Sequence, residues 1–174
     1  MTLRFLCRSG LPALFAVLAL VACASAPPPP PSPVELKIDA AADATVNPDL
    51  EGRPSPLAVR VYLLTGPEAI ADTDLLTLWQ TEAAALAGTL VERREFVLAP
   101  GANATAELIV PDRVTSIAVA AAYRNYRDAT WRVVLPIDAG AGATARRLAL
   151  KVGASSQTVT ADLQPASPAG AEDS

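Results

Sequence analysis

The segment from residue 57 to residue 64 reads Leu57-Ala58-Val59-Arg60-Val61-Tyr62-Leu63-Leu64. Every odd-numbered position in it is aliphatic, and a period of two places those side chains together on one face of a β-strand. The strand is expected to end at Gly66-Pro67, a pair of residues that is typical of turns. The segment therefore predicts a strand that buries its odd-numbered face in a hydrophobic core.

The same period of two recurs on both sides of this strand. Upstream, the segment 34–40 alternates apolar with charged residues. Downstream, the alternation returns in 94–98, 106–110, 117–123, 131–137, 148–152 and 158–163. The segment 117–123 differs because its second face is almost entirely alanine, which predicts a strand buried on both faces. About eight short strands at close spacing predict an all-β fold, a two-sheet β-sandwich.

Between the second and third predicted strands the period changes to that of a helix. The apolar residues there fall at three- and four-residue steps: Leu75, Leu76, Trp79, Ala83 and Leu86. Asp72 or Thr73 is expected to cap the start, and Gly88 lies where a helix should stop. A break at Thr81 predicts one kinked helix or two short ones. The sandwich is therefore expected to carry a small helical insertion over about residues 68–88.

The first 22 residues have the features of an export signal. Basic residues at Arg4 and Arg8 precede an apolar run that is shorter than the roughly 20 residues of a stable membrane span. The run ends in Leu20-Val21-Ala22-Cys23, the pattern of a bacterial lipoprotein signal. We predict that residues 1–22 are removed and that Cys23 is acylated, so that a covalent lipid is its anchor and no other cofactor is expected. An ordinary secretory signal cut at an Ala-x-Ala site is the alternative.

Residues 23–33 are the predicted acylated cysteine and a proline-rich linker. The prolines at 27–31 favour polyproline II, which rises about 3.1 Å per residue and would hold the domain about 30 Å from the membrane. Ala24 follows the cysteine in place of the aspartate that retains lipoproteins at the inner membrane, so we expect an outer-membrane anchor with the domain in the periplasm. The sandwich domain is expected over residues 34–164, and a disordered tail over 165–174.

Composition argues against catalysis and against nucleic acid. Cys7 leaves with the leader and Cys23 is acylated, so no free thiol remains, and the chain has no histidine. These are the usual groups for nucleophilic and acid–base chemistry and for metal binding, so we expect neither an enzyme nor a metal site. Cleavage of the leader would remove two of the 14 basic residues and none of the 18 acidic ones, so the predicted mature chain has a net charge of −6 (12 against 18). An acidic domain is a poor partner for nucleic acid.

Two carboxylate pairs deserve comparison with those of glycoside hydrolases. Asp72 and Asp74 stand at the predicted helix start, where acids are favoured by the helix dipole. Glu92 and Glu95 flank two arginines on a predicted edge strand, where charge discourages aggregation. Both pairs therefore have adequate structural explanations.

Two further segments invite a binding interpretation. The segment 47–52 superficially follows the first half of a calcium loop, but the twelfth position, which needs a glutamate, is Ala58. The segment Tyr123-Arg124-Asn125-Tyr126-Arg127, with Trp131-Arg132 behind it, interleaves aromatic and basic residues as a nucleic-acid surface would. In an acidic chain we interpret it as two strand ends and a turn, and a protein-contact patch remains open.

Several short motifs occur in an order that resembles a known family. In chain order they are Asn47-Pro48-Asp49, Gly52-Arg53-Pro54-Ser55-Pro56, Val59-Arg60-Val61-Tyr62-Leu63, Ala71-Asp72, Pro100-Gly101, Ala121-Ala122-Tyr123-Arg124 and Ala129-Thr130-Trp131-Arg132. With the lipoprotein signal, this set resembles the TssJ (VasD/SciN) family of outer-membrane lipoproteins of the type VI secretion system, over roughly residues 34–163. The segment 69–74 departs from the family pattern because it lacks the aromatic residues that usually begin the helix. Leu75, Leu76 and Trp79 are expected to take over their packing role.

This resemblance implies a transthyretin-like β-sandwich with a small helical addition. It also implies a lipid-anchored role in a complex that crosses the cell envelope, with no nucleic acid and no small-molecule substrate. The implied partner is the periplasmic C-terminal domain of the inner-membrane protein TssM, and indirectly TssL.

In the family, the loop between the first two strands contacts TssM. That loop matches Val46 to Ser55 here, so the resemblance implies these contacts: Asn47, Asp49, Glu51, Gly52 and Arg53. The prolines around them stiffen the loop, which lowers the entropy lost on binding. The alternative function is a periplasmic binding module for a small ligand or another envelope protein. A pocket lined by converging polar groups would favour that alternative, whereas the predicted inward faces are aliphatic.

Overall fold

The protein is described by a computed structural model over residues 34–137 and 147–166. The predictions for the signal peptide, for Cys23, for the proline-rich linker and for tail residues 167–174 lie outside these residues. The elements in chain order are β1 (Val34–Ala42), β2 (Leu57–Leu64), α1 (Glu68–Asp72), α2 (Leu75–Gln80), α3 (Glu82–Ala85), β3 (Leu90–Leu98), β4 (Asn103–Val110), β5 (Ser116–Ala121), β6 (Arg132–Pro136), β7 (Arg147–Ala154) and β8 (Val159–Pro165).

The strands form two four-stranded sheets, with orders β4-β1-β7-β8 and β3-β2-β5-β6. Strands β1 and β7 pair in parallel, and the other pairs are antiparallel. The predicted all-β, two-sheet sandwich is therefore confirmed. Strands β1 and β2 are interior strands of different sheets, so the loop that joins them crosses from one sheet to the other.

The core lies between the two sheets and is aliphatic. Strand β2 contributes its odd-numbered side chains, all fully buried, as its alternation predicts. Strand β5 is buried on both faces, also as predicted. Its inner face joins the main core, and Ala118 and Ala120 on its outer face lie beneath the helical insertion with Tyr62 and Leu64. Small alanine side chains allow the insertion to approach the sheet closely, because protein interiors are close-packed.

The helical insertion is present, but its buried face differs from the predicted one. Leu78 is buried, whereas Leu76 and Ala83 are exposed, so the predicted single stripe is wrong. The N-cap of α2 is Asp74, whose side chain accepts from the backbone N–H of Thr77, rather than Asp72 or Thr73. Thr81 separates α2 from α3, which confirms the predicted break. None of the helices in the described part of the chain is long and apolar enough to cross a membrane.

One carboxylate fastens the insertion to the sheet beneath it. The Glu82 side chain at the start of α3 accepts hydrogen bonds from Tyr62 Oη (2.9 Å), Arg60 (3.3 Å) and Arg93 (3.0 Å). The Arg60 guanidinium also stacks 4.2 Å from the ring centre of Trp79 on α2. The insertion is therefore held by charge and aromatic contacts as well as by its apolar face.

The sandwich has two distinct ends. Strand β1 starts at Val34 at one end, which we call the proximal end. At the other end, the distal end, the register of the strands brings together four connections: 43–56, 99–102, 122–131 and 155–158. Val34, the first described residue, thus lies at the end opposite to the β1–β2 loop. Strand β8 includes Pro165, one residue past the predicted limit of the domain.

Candidate functional site

The β1–β2 loop ends in a tight, hydrogen-bonded tip over residues 49–53. The backbone N–H of Asp49 donates to the carbonyl of Arg53 (2.9 Å), and the N–H of Gly52 donates to the carbonyl of Asp49 (3.0 Å). Gly52 has a φ of +79°, a left-handed conformation that glycine adopts without the steric cost of a Cβ. The tip is therefore a closed turn that presents residues 50–52 at its end.

The Asp49 carboxylate holds this turn from inside. Its Oδ1 accepts from the backbone N–H groups of Glu51 (3.0 Å) and Arg53 (2.8 Å), and its Oδ2 accepts from Nε of Arg53 (2.8 Å). The pKa of Asp49 is lowered from its ordinary value of 3.8, mainly by the hydrogen bond from the backbone N–H of Arg53. Desolvation opposes this shift. The Arg53 side chain, the Glu51 N–H and the charge of Arg124 lower the pKa further. Hydrogen bonds to the charged form stabilise it.

The side chains at the tip differ widely in exposure. Arg53 pairs with Glu51 (Nη2 to Oε2, 3.0 Å), and both side chains are largely exposed, at 74% and 65%. Leu50 is fully exposed, with a relative exposure of 102%. Leu50 is absent from the predicted contacts, which are Gly52 and four polar residues of the loop. Its sequence signal is a single aliphatic residue between two acids in a segment without alternation.

Asn47 is at the base of the loop and points inward. Its side chain is only 4% exposed, its Nδ2 donates to the carbonyl of Pro56 (2.9 Å), and its Oδ1 accepts from the backbone N–H of Arg124 (2.9 Å). Its backbone φ of 49° is left-handed, a conformation in which asparagine is enriched. Both ends of its amide are already used, so we correct its assignment from partner contact to structural residue.

The base of the loop is also tied to the other distal connections. The N–H of Asn47 donates to the carbonyl of Ser156 (3.2 Å) in the β7–β8 turn. The Ser55 hydroxyl donates to the carbonyl of Asn47, and Nε of Arg124 donates to that hydroxyl oxygen (3.0 Å). The loop is thus joined to both sheets below its tip.

The aromatic and basic segment 123–132 is divided among separate roles. Tyr123 is buried, which raises the pKa of its hydroxyl, and Arg124 supports the β1–β2 loop. Arg132 donates to the carbonyls of Ile70 and Thr73, where α1 ends, and stacks on Trp131 (4.6 Å). The interpretation as strand ends and a turn agrees with these contacts, and Arg124 contributes an exposed charge to the distal end.

One residue of each carboxylate pair has a structural partner. Asp74 caps α2, and its Oδ2 accepts from the Thr77 hydroxyl (2.7 Å). Glu95 pairs with Arg60 (2.7 Å) across β3 and β2. Within the described ranges, no group of three or more His, Cys, Asp and Glu side chains is placed to hold a metal ion.

A groove of about 610 Å³ crosses the outer face of the β4-β1-β7-β8 sheet. Its floor is made by the small residues Ala41 and Gly153, and polar side chains such as Asp39, Lys151 and Asp162 stand along it. It lies on the solvent side of the sheet. The space between the sheets is filled by aliphatic side chains. A binding module for a small ligand, the alternative function, would instead be favoured by a pocket lined with converging polar groups.

Comparison with known proteins identifies relatives of the whole sandwich. The sequence model of the family described as "Type VI secretion lipoprotein, VasD, EvfM, TssJ, VC_A0113" matches residues 34–157. The chain is 30% identical to the T6SS lipoprotein TssJ1 from Pseudomonas aeruginosa, whose crystal structure superposes with a TM-score of 0.70 over 78% of this chain and 99% of that one. A direct comparison with curated proteins finds no match.

Two further solved structures share the fold. Serratia marcescens Lip, a membrane bound component of the Type VI Secretion System, is 24% identical, with a TM-score of 0.68 over 75% of this chain and 96% of that one. A structure of the T6SS protein TssM C-terminal domain (869-1107) from EAEC matches at 23% identity, with a TM-score of 0.59 over 76% of this chain and 98% of that one.

Proposed function

The chain belongs to the type VI secretion lipoprotein family that includes VasD, EvfM and TssJ, and from this premise we propose that its distal loop binds the periplasmic C-terminal domain of TssM. Members of the family are structural lipoproteins of the secretion system. In this proposal the chain acts without catalysis, as an outer-membrane anchor that secures TssM and, through it, TssL.

The observation that carries the proposal is the construction of the 49–53 tip. Asp49 closes the turn with three hydrogen bonds, and Asn47 fixes its base to two other connections, at Arg124 and Ser156. A loop that is already ordered loses little conformational entropy when a partner binds, which favours affinity. Its exposed side chains, Leu50, Glu51 and Arg53, would then provide the contacts.

The position of the loop suits a partner that approaches from the inner membrane. Strand β1 rises about 30 Å over nine residues from Val34 to the distal end. The proline-rich linker would add about 30 Å between Val34 and a lipid on Cys23. With the lipid in the outer membrane, the tip would stand at the far side of the domain, facing the periplasm.

The names of the similar structures support this assignment. Lip from Serratia marcescens is described as a membrane bound component of the secretion system, which favours attachment to the envelope. The structure of the TssM C-terminal domain includes a chain with this fold, which favours TssM as the partner. The outer membrane and TssL are further steps of the proposal and follow from the lipoprotein signal and from the family resemblance.

The test is binding of the detergent-solubilised lipoprotein to an immobilised periplasmic domain of TssM from the same bacterium. The wild type should bind, and a variant in which residues 49–53 are replaced by Gly-Ser-Gly should not, although it keeps its melting temperature. The matched control is Asp112→Ala with Arg113→Ala, a change in the exposed turn at the proximal end, which should bind as the wild type does. Absence of wild-type binding would refute the function, and normal binding by the loop variant would refute the site.

A further inference from the structure

Leu50 differs from the other exposed apolar residues of the described chain in the backbone that carries it. Val97, Ile109 and Leu76 are exposed on regular strands or a helix, where isolated apolar side chains are common on protein surfaces. Leu50 stands on an irregular tip whose backbone is closed by two main-chain hydrogen bonds and by Asp49. That support holds the side chain away from the rest of the protein.

The surroundings of Leu50 have the anatomy of a binding centre. Glu51 and Arg53 flank it as a mutually paired, exposed couple, and the positive charge of Arg124 acts on the Asp49 carboxylate below. An apolar centre inside a polar rim is the usual arrangement of a protein–protein interface. The paired rim charges also limit the cost of desolvation, because each charge keeps a partner when water leaves.

From these observations we propose that Leu50 is the anchor residue of the distal surface. It inserts into an apolar pocket of the partner domain, and Glu51 and Arg53 contact the polar rim of that pocket. The inference rests on the proposed function, since it takes the periplasmic domain of TssM as the occupant. It adds a specific chemistry, a pocket that accepts an isobutyl group.

A protein occupant is favoured over a lipid surface by the geometry of the chain. Val34, where the predicted linker meets the domain, is at the proximal end, whereas Leu50 is on the β1–β2 loop at the distal end. The net charge of the predicted mature chain, −6, also opposes attraction to anionic lipid. A periplasmic protein domain is therefore a better partner for Leu50 than a lipid surface.

The experiment measures the dissociation constant of the full, detergent-solubilised lipoprotein for the TssM periplasmic domain. Leu50→Ala should weaken binding about tenfold to a hundredfold, which is the expected loss when a buried leucine is truncated. Leu50→Met should retain most of the affinity, because it keeps an apolar side chain of similar volume. The matched control is Leu76→Ala, the same substitution at a less exposed leucine (46%) on α2, which should leave binding unchanged.

The dependence on ionic strength distinguishes the contribution of Leu50 from that of the charged residues around it. The loss caused by Leu50→Ala should be the same in low and high salt, because burial of an apolar side chain is not screened. Equal affinities of Leu50→Ala and wild type would overturn the proposal, as would a loss that disappears in high salt. A wild-type homodimer that Leu50→Ala abolishes without weakening TssM binding would also overturn it, because the occupant would then be a second copy of this chain.

Failure of this inference can be told apart from failure of the proposed function. If the wild type does not bind TssM at all, the proposed function falls, and the anchor role falls with it. If the wild type binds, the Gly-Ser-Gly tip variant does not, and Leu50→Ala binds normally, only the anchor role falls.

Discussion

Asp49 holds its loop through the charged form of its carboxyl group, so the order of the tip depends on pH. Its pKa is lowered from 3.8, mainly by the backbone N–H of Arg53. A lowered folded-state pKa means that the stabilisation is complete above 3.8 and is lost as the pH falls through the folded value. Neutral and mildly acidic conditions should therefore leave the tip intact.

We predict that the amide resonances of Glu51 and Arg53 move together during acidification, with a midpoint below 3.8. NMR spectra recorded over a pH series measure this, since both amides donate to Oδ1 of Asp49. Asp49→Asn is the control, and it should remove the shared titration. A midpoint at or above 3.8 in the wild type would contradict the proposed origin of the shift.

Asn47 shows why contacts cannot be assigned from a loop sequence alone. Its residue type fits equally well an exposed polar contact and an internal link that replaces missing backbone partners. The choice depends on where Pro56 and Arg124 lie in space, and Arg124 is 77 residues away in the sequence. The polar pattern therefore predicted a connection between β1 and β2, which the structure has, but it could not give the direction of this side chain or the exposure of Leu50.

At the level of elements, Glu82 links the helical insertion to the sheet. Three donors converge on its carboxylate, and one of them, the hydroxyl of Tyr62, belongs to a fully buried side chain. Without Glu82, that hydroxyl would lose the acceptor that it has in the structure. A buried polar group without a partner costs about 1–3 kcal/mol.

We predict that Glu82→Ala lowers the free energy of unfolding by about 2 kcal/mol, measured by urea denaturation. The control is Glu107→Ala, an exposed glutamate of β4, which should have little effect. Adding Tyr62→Phe to Glu82→Ala should recover part of the loss, because the unpaired hydroxyl is then gone. Equal stability of the Glu82 and Glu107 variants would show that the network is not what fastens the insertion.

Strands were easier to predict here than helices, and the reason is physical. A period of two is visible within five or six residues, so the buried faces of β2 and β5 follow directly from their sequences. The helices span only four to six residues each, with a change of direction at Thr81. The prediction of one continuous apolar stripe across that break therefore included Leu76 and Ala83, which are exposed, and omitted Leu78, which is buried.

At the level of the whole molecule, the sandwich places Val34 and the candidate contact surface at opposite ends. The number and spacing of the strands predicted the fold class, but the sheet orders depend on contacts between distant segments, such as the parallel pairing of β1 with β7. That pairing is what places the β7–β8 turn beside Asn47. The placement of Val34 and the loop tip at opposite ends therefore follows from long-range strand pairing, and local sequence patterns do not predict it.

The separation of the two ends predicts that anchoring and partner binding can be removed independently. Cys23→Ser should release the protein from the outer-membrane fraction, because the sulfur that would carry the lipid is gone, while the purified protein keeps its affinity for the TssM domain. Cys7→Ser is the matched control, since it changes the only other cysteine, within the leader, and should leave fractionation unchanged. Cell fractionation and the dissociation constant are the two measurements. A Cys23→Ser protein that stays in the outer membrane would refute the lipid anchor, and one that loses TssM binding in solution would refute the independence of the two ends.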